Sequence, residues 1–199
     1  RSVRPYRGRW RRRRCHYDAE DTGIQRHMPG TGMGGMSMLI VTVDPGCTQS
    51  AYLLYDSSAT AYPLAALGSG ILPNETLRVD LRKLSCADLL VIEQVESYGM
   101  PVGREVFATV FWCGRFVEAW GGTFALMPRR EVKLHLCHSA KATDATIRQA
   151  LIDQFGGKDR AIGKKACPGP LYGIRKDLWS ALALAITWSE THAECHVPA

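Results

Sequence analysis

The sequence predicts an α/β domain in which a buried sheet is packed by helices. Three observations carry that reading. Residues 39–43 (Leu-Ile-Val-Thr-Val), rich in β-branched side chains and apolar enough to be covered on both faces, and residues 88–93 (Asp-Leu-Leu-Val-Ile-Glu) read as buried strands. Residues 102–120 confine Arg104, Arg115 and Glu118 to roughly 60° of a helical wheel, with Glu105 beside them. Val106, Val110, Phe111, Val117 and Trp120 fill the remaining surface, which describes an amphipathic helix with a wide apolar face. Residues 178–186 (Leu-Trp-Ser-Ala-Leu-Ala-Leu-Ala-Ile) read as a helix whose small side chains permit close packing on a sheet.

The remaining elements follow in order. After Asp44, Pro45-Gly46 turns the chain into a second strand over residues 51–55. A third strand is expected within residues 62–68, which makes an antiparallel meander of the first three. A short helix is expected after Pro73. Tyr98-Gly99-Met100-Pro101 reads as an exposed loop, and Pro101 suits a first helical turn. Gly121-Gly122 stops the long helix. Residues 123–127 form a further strand. Thr143 or Asp144 caps a helix that runs to about residue 155, where Gly156-Gly157 ends it. Residues 159–170 read as a basic loop. The last helix begins near Arg175-Lys176-Asp177 and frays after Glu190.

Charge divides the chain in two. Residues 1–37 hold nine Arg against Asp18, Glu20 and Asp21, whereas residues 38–199 are neutral. The first segment has almost no aliphatic side chains with which to offset the entropy of ordering. It is therefore expected to be a disordered basic extension, ahead of one domain at 38–199. Such an arm can attract nucleic acid. No apolar h-region follows its arginines, and no apolar run approaches a membrane span. Within the domain, residues 129–176 carry a net +7 and residues 38–128 a net −4. That asymmetry suits a phosphate-bearing ligand approaching a cluster of acids. Arg129, Arg130, Lys164 and Lys165 are the candidate nucleic-acid contacts, with Tyr98 placed to stack on a base.

Seven Cys without a C-x-x-C pair suggest reduced thiols and a cytoplasmic setting. The spacing of His135, Cys137 and His138 matches no common zinc pattern.

The two buried strands each deliver an acid at the C-terminal end, Asp44 and Glu93. Asp177, at the start of the last helix, can pack beside them. Phosphodiester hydrolysis needs an activated water and a stabilised leaving oxygen, and two divalent ions about 4 Å apart can supply both. Mg²⁺ takes hard oxygen ligands and keeps several waters, so a few carboxylates suffice. Asp177 read alone is a first-turn acid favoured by the helix dipole.

Residues 40–46 (Ile-Val-Thr-Val-Asp-Pro-Gly), 91–94 (Val-Ile-Glu-Gln) and 180–187 (Ser-Ala-Leu-Ala-Leu-Ala-Ile-Thr), in that order, resemble the RuvC family of Holliday-junction resolvases, within the ribonuclease H-like superfamily. The loop at 97–103 and the helix around Ile147-Arg148-Gln149-Ala150-Leu151 resemble its phage and prophage branch. The resemblance covers most of residues 38–190. It implies a mixed five-stranded sheet flanked by helices, a homodimer, dependence on Mg²⁺ or Mn²⁺, and paired nicking of four-way DNA junctions. It assigns metal-ligand roles to Asp44, Glu93 and Asp177, with Asp44 and Asp177 on one ion and Glu93 with Asp44 on the other. Ser180 stands where the family has a further Asp. Either Ser180 holds a metal-bound water or Asp144 supplies the fourth carboxylate, the other reading of Asp144 being a helix cap. Lys133 and Lys141 lie where the family has phosphate-contacting lysines.

Two rivals share these residues. One is another ribonuclease H-like nuclease, acting on RNA–DNA hybrids or branched DNA. The other is a binding protein that has lost cleavage, to which the Ser180 departure points. An actin-like ATPase would need Gly-rich phosphate turns that the sequence lacks.

Overall fold

The computed structural model describes residues 38–57, 64–84, 87–97, 99 and 101–192. The expected basic arm at 1–37 and Tyr98 lie outside these residues, as does the expected fraying beyond 192.

Strands β1 (Leu39–Asp44), β2 (Gln49–Asp56) and β3 (Ser69–Pro73) form the antiparallel meander. Strand β4 (Leu89–Gln94) pairs in parallel with β1, and β5 (Phe124–Pro128) in parallel with β4. The sheet is thus mixed, in the order β3-β2-β1-β4-β5. The central strands β1 and β4 are the two apolar runs, as burial on both faces requires.

Side chains alternate across the sheet, so its two faces form separate cores. Val41, Val43, Leu90 and Ile92 face helices α1 (Asn74–Lys83) and α2 (Arg104–Trp120), meeting Leu77, Leu81, Phe116 and Trp120. Ile40, Leu53 and Val91 face the opposite way, where α3 (Arg129–Cys137), α4 (Asp144–Gln154) and α6 (Leu178–Thr191) gather. Between α4 and α6 lie a single-turn helix α5 (Lys158–Ala161) and a two-residue ribbon of β6 (Gly163–Lys164) with β7 (Cys167–Pro168).

Helix α6 lies against β1 and β2 because its contact face is built of small residues. Ala181, Ala183 and Ala185 are fully buried, and so are Leu182 and Leu184 between them. Each such Leu contributes about 1.5–3 kcal/mol of burial free energy. The crossing is pinned by the buried Thr42, whose hydroxyl donates to the Ala181 carbonyl at 2.8 Å.

The turn after Asp44 is also fixed. The Ser50 hydroxyl donates to Asn74 Oδ1 at 2.7 Å, Asn74 Nδ2 donates to the Gly46 carbonyl at 2.8 Å, and the Gly46 amide donates to Ser50 Oγ at 3.1 Å. A Cβ on Gly46 would stand 2.3 Å from the Gln49 carbonyl oxygen, so the turn admits no side chain there.

Several sequence expectations need correction. The third strand lies at Ser69–Pro73, not within 62–68, where the described part holds a 3-10 turn at Leu64–Ala66. Gly70 reads as a loop signal, yet it sits opposite Tyr52, where a Cβ would approach the ring to 3.1 Å. Helix α2 starts at Arg104 behind Gly103, not at Pro101. Its buried side centres on Phe116 and Trp120, leaving Phe107, Val110 and Phe111 exposed. Arg115 pairs with Glu75 of α1 at 3.1 Å, so the charged stripe partly faces a neighbouring helix. The basic loop at 159–170 contains α5 and the ribbon, which close on Gly169, where a Cβ would meet the Arg160 carbonyl oxygen at 2.3 Å.

Replacing Asn74 by Ala leaves the Gly46 carbonyl without its side-chain donor and the buried Ser50 hydroxyl without its acceptor. The expected loss is about 1–3 kcal/mol, read as a lower urea midpoint. An unchanged midpoint would mean that these bonds do not secure the turn.

Candidate active site

Val43 stands opposite Ile92 in the parallel β1–β4 pair, so the next residues along the two strands are Asp44 and Glu93. By alternation both belong to the face that α6 covers. Asp177 arrives from the third direction, at the N-cap position of α6, and its side chain makes no capping bond. The residue before it, Lys176, has φ of 48°, a left-handed conformation that a non-glycine residue adopts at some cost. One turn into α6, the Ser180 hydroxyl hydrogen-bonds the Asp44 carboxylate.

Electrostatics tie these groups together. Asp44 has its pKa pushed up to about 7, chiefly by burial and then by the neighbouring Glu93 charge, with a smaller contribution from Asp177. Arg129 and the Ser180 bond act in the opposite direction. Glu93 is also raised by burial, although Arg129 holds it down. Two carboxyls that resist ionisation beside one another mark a place where a cation is favoured.

Arg129 is the central cation of the described site. It is the first residue of α3, directly after Pro128, which stands opposite Gln94 at the end of the β5–β4 pair. Its Nη1 donates to Glu93 Oε2 at 2.7 Å and its Nη2 to Asp144 Oδ1. The guanidinium stays charged: burial works against it, and Glu93 and Asp144 more than offset that.

Two clefts meet at this side chain. One, of about 220 Å³, is lined by Asp44, Pro45, Glu93, Gln94, Val95, Glu96 and Arg129. The other, of about 320 Å³, is lined by Arg129, Asp144, Ala145, Ile147, Arg148, Lys176, Asp177, Trp179 and Ser180. Arg129 is the wall they share. Among the described residues, no three His, Cys, Asp or Glu side chains stand close enough together to hold an ion as arranged.

The other sequence-predicted residues divide into two groups. Lys133, on α3, lies close enough to Glu93 to lower its pKa. Asp144 opens α4, but the helix cap is Thr143, whose hydroxyl accepts from the Thr146 amide at 3.3 Å. This corrects the capping role considered for Asp144 and leaves its carboxylate on Arg129. Lys141 lies in the α3–α4 connection, exposed, and lines neither cleft; Arg130 on α3 and Lys164 and Lys165 on the ribbon are likewise exposed and outside both. His135 pairs with Glu190 at 2.6 Å.

Sequence reasoning missed Arg148 and Lys176, which line the second cleft. Arg148 is four residues after Asp144 on one helix, so its shared face was readable from spacing. It is held in place over the Trp179 ring, 4.9 Å from the centroid.

The raised Asp44 pKa has a consequence for stability. The unfolded chain releases this proton near pH 4 and the native chain near 7. Between these values the native state binds more protons, so metal-free protein should lose stability as pH rises through the window. Asp44→Asn removes that slope. In EDTA, variant and wild type should melt together near pH 4, and the variant should be more stable at pH 8 by up to about 4 kcal/mol. A constant difference at both pH values would show that Asp44 is already ionised in the native protein.

No protein-family model matches the chain, and no curated protein matches its sequence. Solved structures do. A Thermus thermophilus RuvC structure is similar with a TM-score of 0.51 and 14% identity, over 78% of this chain and 98% of that one. T. thermophilus RuvC in complex with a Holliday junction substrate is similar with a TM-score of 0.52 and 15% identity, over 80% and 96%. At that identity the likeness is one of fold. The ribonuclease H-like mixed five-stranded sheet flanked by helices, which the motif resemblance implied, is the fold of this chain.

Proposed function

We propose that this chain is a divalent-metal-dependent endonuclease that resolves four-way DNA junctions by phosphodiester hydrolysis. One observation carries the reading: Asp44 and Glu93 end adjacent parallel strands and Asp177 heads the helix across them, in a fold shared with RuvC bound to a Holliday junction substrate.

The residues present fit Mg²⁺ or Mn²⁺ in kind. Asp44, Glu93, Asp177 and the Ser180 hydroxyl all offer hard oxygen, and a Mg²⁺ site needs only one or two carboxylates when water and phosphate complete it. Asp44 would hold an ion together with Asp177 or with Glu93, two carboxylates at a time, the remaining positions going to water and phosphate. When bound, it supplies the positive charge that activates water and stabilises the leaving oxygen. Ser180 orients the Asp44 carboxylate through its hydrogen bond. Lys133, beside Glu93, is the candidate to steady the scissile phosphate, with Lys141 further along the same basic segment. Arg130, Lys164 and Lys165 are exposed cations suited to flanking phosphates. Tyr98 follows the second acid in sequence and keeps its proposed stacking role.

A homodimer fits the same reading. Phe107 and Phe111 of α2 are 64% and 63% exposed, with Val110 between them at 50%. Such an apolar stripe on one helix is the kind of surface that a second copy covers. A non-cleaving binding protein is the second reading, favoured by Ser180 at the expected acid position and by Arg129 on Glu93.

The deciding experiment incubates the full chain with a labelled four-way junction, a duplex and an RNA–DNA hybrid, with and without Mg²⁺ or Mn²⁺. Paired, metal-dependent nicks confined to the junction are expected. Cleavage of the hybrid would replace the substrate, and binding without cleavage would establish the second reading. Asp44→Asn should lower junction cleavage at least about a hundredfold while gel-shift binding persists; retained cleavage would remove Asp44 from the chemistry. Phe107→Asp combined with Phe111→Asp should convert a dimer to a monomer in sedimentation velocity. A monomeric wild type would exclude the dimer.

A further inference from the structure

We infer that the second cleft seats a phosphodiester of the strand being cut, held by Arg148 and Lys176, next along the backbone to the phosphate that meets the acids. The inference rests on the nuclease reading above and names the part of the substrate that this cleft takes.

The two clefts that meet at Arg129 differ in sign. The first holds Asp44, Glu93 and Glu96 against Arg129 alone. The second holds Arg129, Arg148 and Lys176 against Asp144 and Asp177, and Asp144 is already hydrogen-bonded to Arg129. Arg148 and Lys176 are thus the charge that this cleft offers to a ligand.

Neither cation is spent inside the protein. Arg78, Lys83 and Arg115 each pair with an acid, as Arg129 does. Among the described residues no acid pairs with Arg148 or Lys176, and no protein oxygen accepts from either side chain. Arg130, Lys164 and Lys165 are exposed cations as well, but they line neither cleft. Arg148, on α4, and Lys176, just ahead of α6, instead converge on one. Arg148 is also held in place before any ligand arrives. Its guanidinium lies 4.9 Å from the centroid of the Trp179 ring, and Trp179 is itself buried. A side chain ordered in this way loses less entropy on binding. A planar guanidinium with unspent N–H donors matches the free oxygens of a phosphodiester, and Lys176 adds a point charge.

Asp177 bears on which phosphate fits. An internal backbone phosphate carries one negative charge, whereas a terminal phosphate carries about 1.5 to 2 at neutral pH. Beside the Asp177 carboxylate the more highly charged group is disfavoured, so the cleft suits an internal one. The shared Arg129 wall supplies the path. A strand that presents one phosphate to the Asp44–Glu93 cleft passes Arg129 and brings its neighbour to Arg148 and Lys176.

The test measures binding of the full chain to a labelled four-way junction by fluorescence anisotropy, in EDTA and again in Ca²⁺. Single phosphates near the crossover are replaced in turn by neutral methylphosphonate. In wild type, replacing the phosphate that the cleft holds should weaken binding about tenfold or more. In Arg148→Gln combined with Lys176→Gln, the same replacement should cost nothing. Equal losses in wild type and variant at every position would overturn the inference and leave the nuclease reading standing. Lys176→Gln alone changes an exposed side chain and serves where the double variant fails to fold. It should reduce the slope of log affinity against log salt by about 0.7–0.9, and an unchanged slope would overturn the inference. Inorganic phosphate at matched ionic strength should not displace the junction. Displacement from wild type but not from the double variant would make this a site for free phosphate and overturn the strand reading. A wild-type chain that binds no junction, duplex or hybrid in either condition would overturn the nuclease reading and this inference with it.

Discussion

The contact between β1 and α6 is what the candidate site depends on. Thr42 lies two residues before Asp44, and Ala181 four residues after Asp177. The one buried bond from the Thr42 hydroxyl to the Ala181 carbonyl therefore fixes how far apart two of the acids stand. Alanines on α6 let the helix approach the sheet closely enough for that bond to form, and the hydrophobic burial around it holds the helix down. The parallel register of β1 and β4 then brings in Glu93 without any further device. Geometry that serves chemistry is thus set by packing several residues away from it.

Half-burial gives the site its electrostatic character. Asp44 and Glu93 are removed from water enough to resist ionisation, yet they line an open cleft. That combination favours a positive charge strongly and leaves it reachable. Arg129 answers part of this demand from within the chain. From the basic segment that follows it, Lys133 stands near Glu93, and Arg148 and Lys176 line the second cleft, charge of the sign that a nucleic-acid backbone seeks.

Much of this was legible in the sequence, for identifiable reasons. β1 and β4 are continuous apolar runs that each deliver an acid at the C-terminal end, so strand, burial and candidate ligand came from the same few residues. Helices α2, α4 and α6 were marked by glycine stops, by the Thr143 cap and by small-residue spacing. β3 was displaced because Gly70 reads as a loop residue until Tyr52 is seen across from it. α3 was missed because Pro128-Arg129-Arg130 has the composition of a charged turn. Arg129 was readable as a cation in a basic segment, but its partners lie 36 and 15 residues away, and no local pattern announces such a pairing. Ser180 was noticed only as a departure from the acid expected there; its bond to Asp44 requires α6 and β1 to be folded together.

The position of α6 in the chain has a consequence for how the protein is made. Every strand that α6 covers precedes it. While the ribosome synthesises the chain, Ile40, Leu53 and Val91 form an apolar face with its largest cover still untranslated. A sheet left open in this way is a site for chaperone capture or for sticking to another nascent chain. The same delay keeps Asp177 and Ser180 away from Asp44 until translation has passed the end of the sheet. A nascent chain at that stage has two of its three acids in place and not the helix that brings the third, so the centre forms only after the fold around it is nearly complete.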